Sequence, residues 1–252
     1  MTDASPISQA LLDSLWDFSN PRASADRFRL AADDPERGTL ARAELGTQLA
    51  RALGLLGEFD QAEAVLDAVM DAVGESSERV QARVALERGR LMVAAEHLAE
   101  SVPLFTLATR KAVAAGSTFL ALDALHMLAL ADAGHEEEWA AEGIDVLDTV
   151  GEPRARRWGV ALHNNLGWHL HDSGRPEQAL PHFEQALAYA REVGTADQAF
   201  IGEWAVARCL RTLGRSDEAR DIQERLASER PADEFVQAEL AELTGAAPTI
   251  EE

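Results

Sequence analysis

Lysine, tyrosine and cysteine each occur once in this 252-residue chain, as Lys111, Tyr189 and Cys209. A lone cysteine excludes an internal disulfide, and its neighbours Ala205, Val206 and Leu210 mark it as a small packed thiol suited to a reducing compartment. No stretch reaches the roughly 18 uninterrupted apolar residues of a membrane span. The opening MTDASPISQALLDSLWDF has neither the basic segment nor the long apolar run of an export signal. The expectation is a soluble, cytoplasmic protein. Positive charge is also scarce: 23 basic against 44 acidic residues give a net charge of −21. Nucleic-acid binding rests on Lys and Arg neutralising phosphates, so that class is disfavoured, as are anionic membranes. Strand-favouring residues are thin beside Ala, Leu, Glu and Arg, which points to an all-α chain.

Catalytic signatures are missing as well. There is no glycine-rich phosphate loop, no nucleophile elbow and no HExxH, so no catalytic residue, cofactor or enzymatic activity is expected. Histidines cluster at His163, His169 and His171, next to Asp172. Neither 163/169 nor 169/171 has the separation of three or four that sets two ligands side by side on a helix. His163 and His171 lie about two turns apart, roughly 12 Å, too far for one ion. No metal site is expected, and His126 reads as a histidine satisfied between helices. The run Glu136-Glu137-Glu138 opens a helix, where negative charge favours the positive helix end.

What the chain does have is a repeated helical hairpin. Residues 163–190, HNNLGWHLHDSGRPEQALPHFEQALAYA, read as two helices with Gly174 between them. Leu166, Gly167 and Leu170 share a face of the first helix; Ala179, Phe183 and Ala186 share a face of the second. Gly57 occupies the place of Gly174, and steps of 39 lead through Glu96 and His135 to Gly174, with a step of 40 to Gly214. The seam repeats as Ala62/Leu66/Val69, Ser101/Phe105/Ala108, Ala140/Ile144/Leu147 and Ala219/Gln223/Leu226. Pro103 and Pro181 stand two periods apart, early in their helices. Such a period is the mark of a solenoid.

With these residues in view, the chain resembles the tetratricopeptide-repeat family. Leu166-Gly167, Gly174, Ala179, Phe183 and Ala186 match its motif, and Pro231 falls where the family often places a proline. The repeat is longer than the family's usual length, and Arg88 and Gln223 depart from it where Leu166 and Phe183 stand. The resemblance implies an all-α, right-handed superhelix of five hairpins. On this reading residues 1–34 form N-terminal capping helices, 35–231 the repeats, and 232–252 a capping helix, 233–243, followed by a short acidic disordered tail. The N-terminal helices begin near Ser5-Pro6 and at Asn20-Pro21. They are acidic and do not look like the DNA-binding helix-turn-helix that accompanies peptide sensors of this family.

The family's fold places the first helix of each hairpin on the concave side. In the fourth repeat the stripe beside the seam is Asn164, Trp168 and His171. Translation by the period gives Thr47, Arg51 and Gly54; Leu86, Arg90 and Val93; Leu125, Ala129 and Asp132; and Trp204, Arg208 and Arg211. The expectation is therefore a non-catalytic groove in which Asn164, Trp168, His171, Trp204, Arg208, Arg211, Arg90 and Arg51 bind a protein or peptide of acidic character. Against this stands the simpler view that these arginines only pair with nearby Glu and Asp. Competing functions are a self-associating scaffold contacting itself through the third repeat, and a small-molecule binder or enzyme with its site inside the superhelix. In EPRARRW, residues 152–158, Trp158 is expected to pack between repeats while Arg154, Arg156 and Arg157 lie on the surface.

Overall fold

The computed structural model describes residues 7–245. All regular structure among them is helical, in fourteen helices that pack largely in sequence order. The chain divides into two compact units, one ending at His135 and the other starting at Glu136. The expected tail, 246–252, and the start at Ser5 and Pro6 lie outside the described residues.

The first unit holds α1 (Gln9–Leu15), α2 (Pro21–Asp33), α3 (Thr39–Leu55), α4 (Phe59–Val73), α5 (Glu78–Ala94), α6 (Leu98–Ala114) and α7 (Thr118–Ala131). Ser8 caps α1, which ends before Trp16. Asn20 caps α2 as its position before Pro21 predicts. Two hairpins follow, α3/α4 and α5/α6, and the first helices α3, α5 and α7 lie beside one another.

The second unit holds α8 (Glu136–Asp148), the single turn α9 (Pro153–Arg156), α10 (Trp158–Asp172), α11 (Pro176–Val193), α12 (Ala196–Thr212), α13 (Ser216–Glu229) and α14 (Glu234–Thr244). Its hairpins are α10/α11 and α12/α13, with α8 against α10 and α14 against α13 and α12. Asp233 caps α14 by accepting from the Phe235 and Val236 amides, and Gly245 ends it in the left-handed region.

The repeat's punctuation is a backbone device. Gly57, Gly174 and Gly214 have φ of 74°, 74° and 76°, and Glu96 adopts 64°, the one non-glycine residue with positive φ among the described residues. Each places the next amide on a carbonyl five residues back: Glu58 to Leu53 at 3.0 Å, His97 to Met92 at 2.8 Å, Arg175 to Leu170 at 2.9 Å and Arg215 to Leu210 at 2.9 Å. These bonds satisfy carbonyls that the helix end would leave open. The turn after α7 departs from the expected register. Its left-handed residue is Gly134, φ 91°, one position before His135. Asp132 has already left the helix, and the His135 amide bonds only as far back as Asp132.

Inside each hairpin, large side chains on the second helix face small ones on the first. Phe105 lies over Gly89 and Phe183 over Gly167, and both phenylalanines are fully buried. Burial of one such side chain stabilises by about 1.5–3 kcal/mol. Ala62, Leu66, Ala179 and Ala219 are likewise inaccessible. Ile144 is a correction: it is only partly buried, and the buried residue is Gly143, over which Leu162 packs. Arg88, the polar departure in the seam, reaches from α5 to Glu63 at 3.1 Å and to Asp67 on α4. Both α6 and α11 continue through Pro103 and Pro181.

Candidate functional site

In the second unit, α10, α12 and α14 bring Trp168, Trp204 and Phe235 into a row, with ring centroids 5.9 and 6.0 Å apart. Periodicity accounts for the first two: 168 and 204 sit on facing stripes of successive first helices. Phe235 comes from the first turn of α14, where its ring stays 71% exposed. The Arg208 guanidinium lies 5.9 Å from the Trp168 ring and 5.5 Å from that of Trp204. Together with Asp172, Ala238 and Glu239 these residues line a groove of about 410 Å³.

Charge in this groove is organised by Glu239, a residue on α14. Its carboxylate is buried and accepts from Arg208 Nη1 at 2.7 Å and from Arg211 Nε at 2.7 Å. The hydrogen bond to Glu239 raises the Arg211 pKa. One carboxylate thus serves two guanidinium groups, leaving the trio one positive charge in excess. The Trp204 indole Nε1 is buried and has no acceptor. His171 is held by Thr212 Oγ1 at 2.9 Å and Asp172 Oδ1 at 3.2 Å, with its ring against Trp168. Asn164 is partly buried and stands outside the lining of the groove.

The first unit places Arg51 and Arg90 together on a separate cavity of about 270 Å³ between α3, α5 and α7. Arg90 is neutralised within the fold, by Glu87 at 2.6 Å and Asp123 at 2.5 Å. Two further arginines, Arg79 and Arg83, bind the buried Glu44 at 3.2 and 3.1 Å. Arg51 has no carboxylate partner among the described residues; its guanidinium rests on Trp16 and Phe18 at 5.7 and 5.6 Å. Burial, and then Arg90, lower the Arg51 pKa.

The sequence stripe is therefore only partly a surface. Thr47, Leu86 and Leu125 are buried, because side-by-side packing of α3, α5 and α7 covers their position. Arg90, Arg208 and Arg211 are paired with acids, as the simpler view of them holds. Phe235, Glu239, Glu87 and Asp123 escaped sequence reasoning. A signal was present for the charged ladder: Glu44 and Arg83 are one period of 39 apart, opposite charges at equivalent positions of adjacent first helices.

Other candidate groups resolve into structure. Cys209 is buried, points its thiol at the Pro176 carbonyl at 3.4 Å, and burial pushes its pKa up to about 11. His163 Nδ1 lies 3.1 Å from His182 Nδ1, and its ring stacks on Tyr189. Among the described residues no three His, Cys, Asp or Glu side chains converge as metal ligands. Burial first, opposed by Asp123, lowers the His126 pKa. In EPRARRW, Arg156 pairs with Glu192 at 2.7 Å and lies over Tyr189, while Arg157 donates to the Val193 carbonyl. None of the described helices is long and apolar enough to cross a membrane.

Comparison with known proteins agrees with this architecture. Tetratricopeptide-repeat family models match residues 159–227 in the second unit and 38–68 in the first. The crystal structure of BtubC (BKLC) from P. vanneervenii aligns over 97% of this chain and 96% of its own, with a TM-score of 0.63. Identity is 16%, so this likeness concerns the fold alone. No curated protein matches. The same hairpin seam stands in each unit, and both units carry segments that match tetratricopeptide-repeat models.

Proposed function

We propose that the protein is a non-catalytic binding module that takes a segment of a partner protein on the α10–α12–α14 face. Tetratricopeptide repeats as a class mediate protein–protein interactions and are typically non-catalytic. The observation that carries the reading is the open row of Trp168, Trp204 and Phe235 beside the Arg208–Glu239–Arg211 trio. Flat aromatic area with an adjacent guanidinium is the composition of an interface hot spot. Asp172 on the same wall balances the second guanidinium, so the face is close to neutral, and what it offers a partner is the partly exposed Arg208 guanidinium beside the rings.

The test is partner capture from native cytoplasm by the wild type and by Trp168→Ala/Arg208→Ala, with helicity and molar mass measured for both. Loss of specific partners from a folded variant supports the reading. Full retention by that variant overturns it. A wild type that forms a defined oligomer, dissociated by the same substitutions, would assign this face to self-association instead.

A further inference from the structure

The cavity of the first unit carries an inference that goes beyond the partner face and does not depend on it. Two polar groups there are left incomplete, one buried and one partly buried. Glu87 is 2% exposed; its Oε1 pairs with Arg90, while its Oε2 is buried with no hydrogen-bond partner. Across the same cavity stands Arg51, its guanidinium against two rings, in the field of Glu87 and Asp123 but in direct ion-pair contact with no described carboxylate. The remaining wall is aliphatic: Leu55, Leu91, Val93, Ala94 and Met127.

The charges of this region do not balance. Arg79, Arg83 and Arg90 are matched by Glu44, Glu87 and Asp123, and Arg51 is the cation left over. In a chain of net charge −21 there is no shortage of acid to place beside it. Leaving a buried donor or acceptor unmade is destabilising, and more so for a charged group. A ligand that supplied an acceptor to Arg51 and a donor to Glu87 would remove both deficits at once.

We infer that this cavity binds a free α-amino acid with an aliphatic or thioether side chain. Its carboxylate is taken by Arg51, its ammonium by Glu87 Oε2, and its side chain by the wall of Leu55, Leu91 and Met127. The zwitterion adds no net charge to the site, whereas an isolated anion would meet Glu87 and Asp123, and an isolated cation would meet Arg51 and Arg90. The volume of about 270 Å³ admits one small molecule of this size. Desolvation of Arg51, which works against its charge, is offset when a carboxylate arrives.

The experiment titrates the full chain at pH 7 with L-leucine and L-methionine, read by calorimetry and by the thermal midpoint. Leucinamide lacks the carboxylate, 4-methylpentanoate lacks the ammonium, and N-acetyl-L-leucine stands in for the last residue of a peptide. Saturable binding of leucine or methionine is expected, weakened at least tenfold in all three analogues and in Arg51→Gln. Trp16 fluorescence should change on binding, and Trp16→Phe should remove that change. No saturable binding up to about 10 mM, tenfold above a dissociation constant of about 1 mM, overturns the inference. Undiminished binding by Arg51→Gln overturns it too. Equal binding of N-acetyl-L-leucine refutes the ammonium–Glu87 contact and transfers the site to peptide C-termini. Glu87→Gln tests that contact directly where circular dichroism shows it folded; where it does not fold, the analogue series on the wild type decides.

Discussion

A Cβ built on Gly167 would lie 2.7 Å from Cε1 of Phe183, closer than packed carbon atoms come. The same holds for Gly89 and Phe105, at 2.4 Å. In both hairpins the glycine is selected by the ring that covers it. Gly167→Ala and Gly89→Ala should each destabilise by about 1–3 kcal/mol, because the buried ring must leave its rotamer or the helices must part. Denaturant midpoints measure this, and Phe183→Leu in the Gly167→Ala background should recover part of the loss.

Gln223 stands where Phe183 stands in the preceding hairpin, is fully buried, and neither its Oε1 nor its Nε2 has a partner. Replacement by leucine removes an unsatisfied amide and keeps the volume close. Gln223→Leu should raise stability by about 1–3 kcal/mol. A lower thermal midpoint in the variant would show that the amide is satisfied in solution.

Glu96 holds a left-handed backbone that glycine holds at the equivalent turns after α3, α10 and α12. For a residue with a Cβ that conformation costs about 1–2 kcal/mol. Glu96→Gly should stabilise by about 1 kcal/mol, and Gly174→Ala should destabilise by a similar amount; thermal midpoints of the two variants should move in opposite directions.

His163 is buried against His182, and burial together with that neighbour lowers its pKa to about 4. Burial lowers the pKa of His182 as well. The unfolded chain takes up the proton near pH 6.5, so the contribution of His163 is complete above that pH and is lost as pH falls from about 6.5 to about 4. The span corresponds to about 3 kcal/mol. Chemical denaturation at pH 7.5 and pH 4.5 should show the difference, and His163→Gln should flatten it.

The repeat was legible in the sequence because packing fixes its positions. A residue such as Ala179 or Leu66 has one role, and its spacing reports the helix directly. The turn at Gly134 was not legible, since either of two adjacent residues can take the left-handed conformation and only the backbone path decides. Site residues divided along the same line. Trp168, Trp204 and Arg208 follow from the period, whereas Phe235 and Glu239 sit on a helix outside it. The partners of Arg90 were hidden by distance along the chain, Asp123 being 33 residues away. A stripe drawn on one helix cannot tell an open position from one roofed by its neighbour, which is why Thr47, Leu86 and Leu125 were misplaced.

Glu239 lies on a helix outside the period and binds two guanidinium groups of α12 at once. The last helix is therefore fastened to its neighbour by a buried double ion pair as well as by Val236, and that single carboxylate sets where Phe235 stands relative to Trp204.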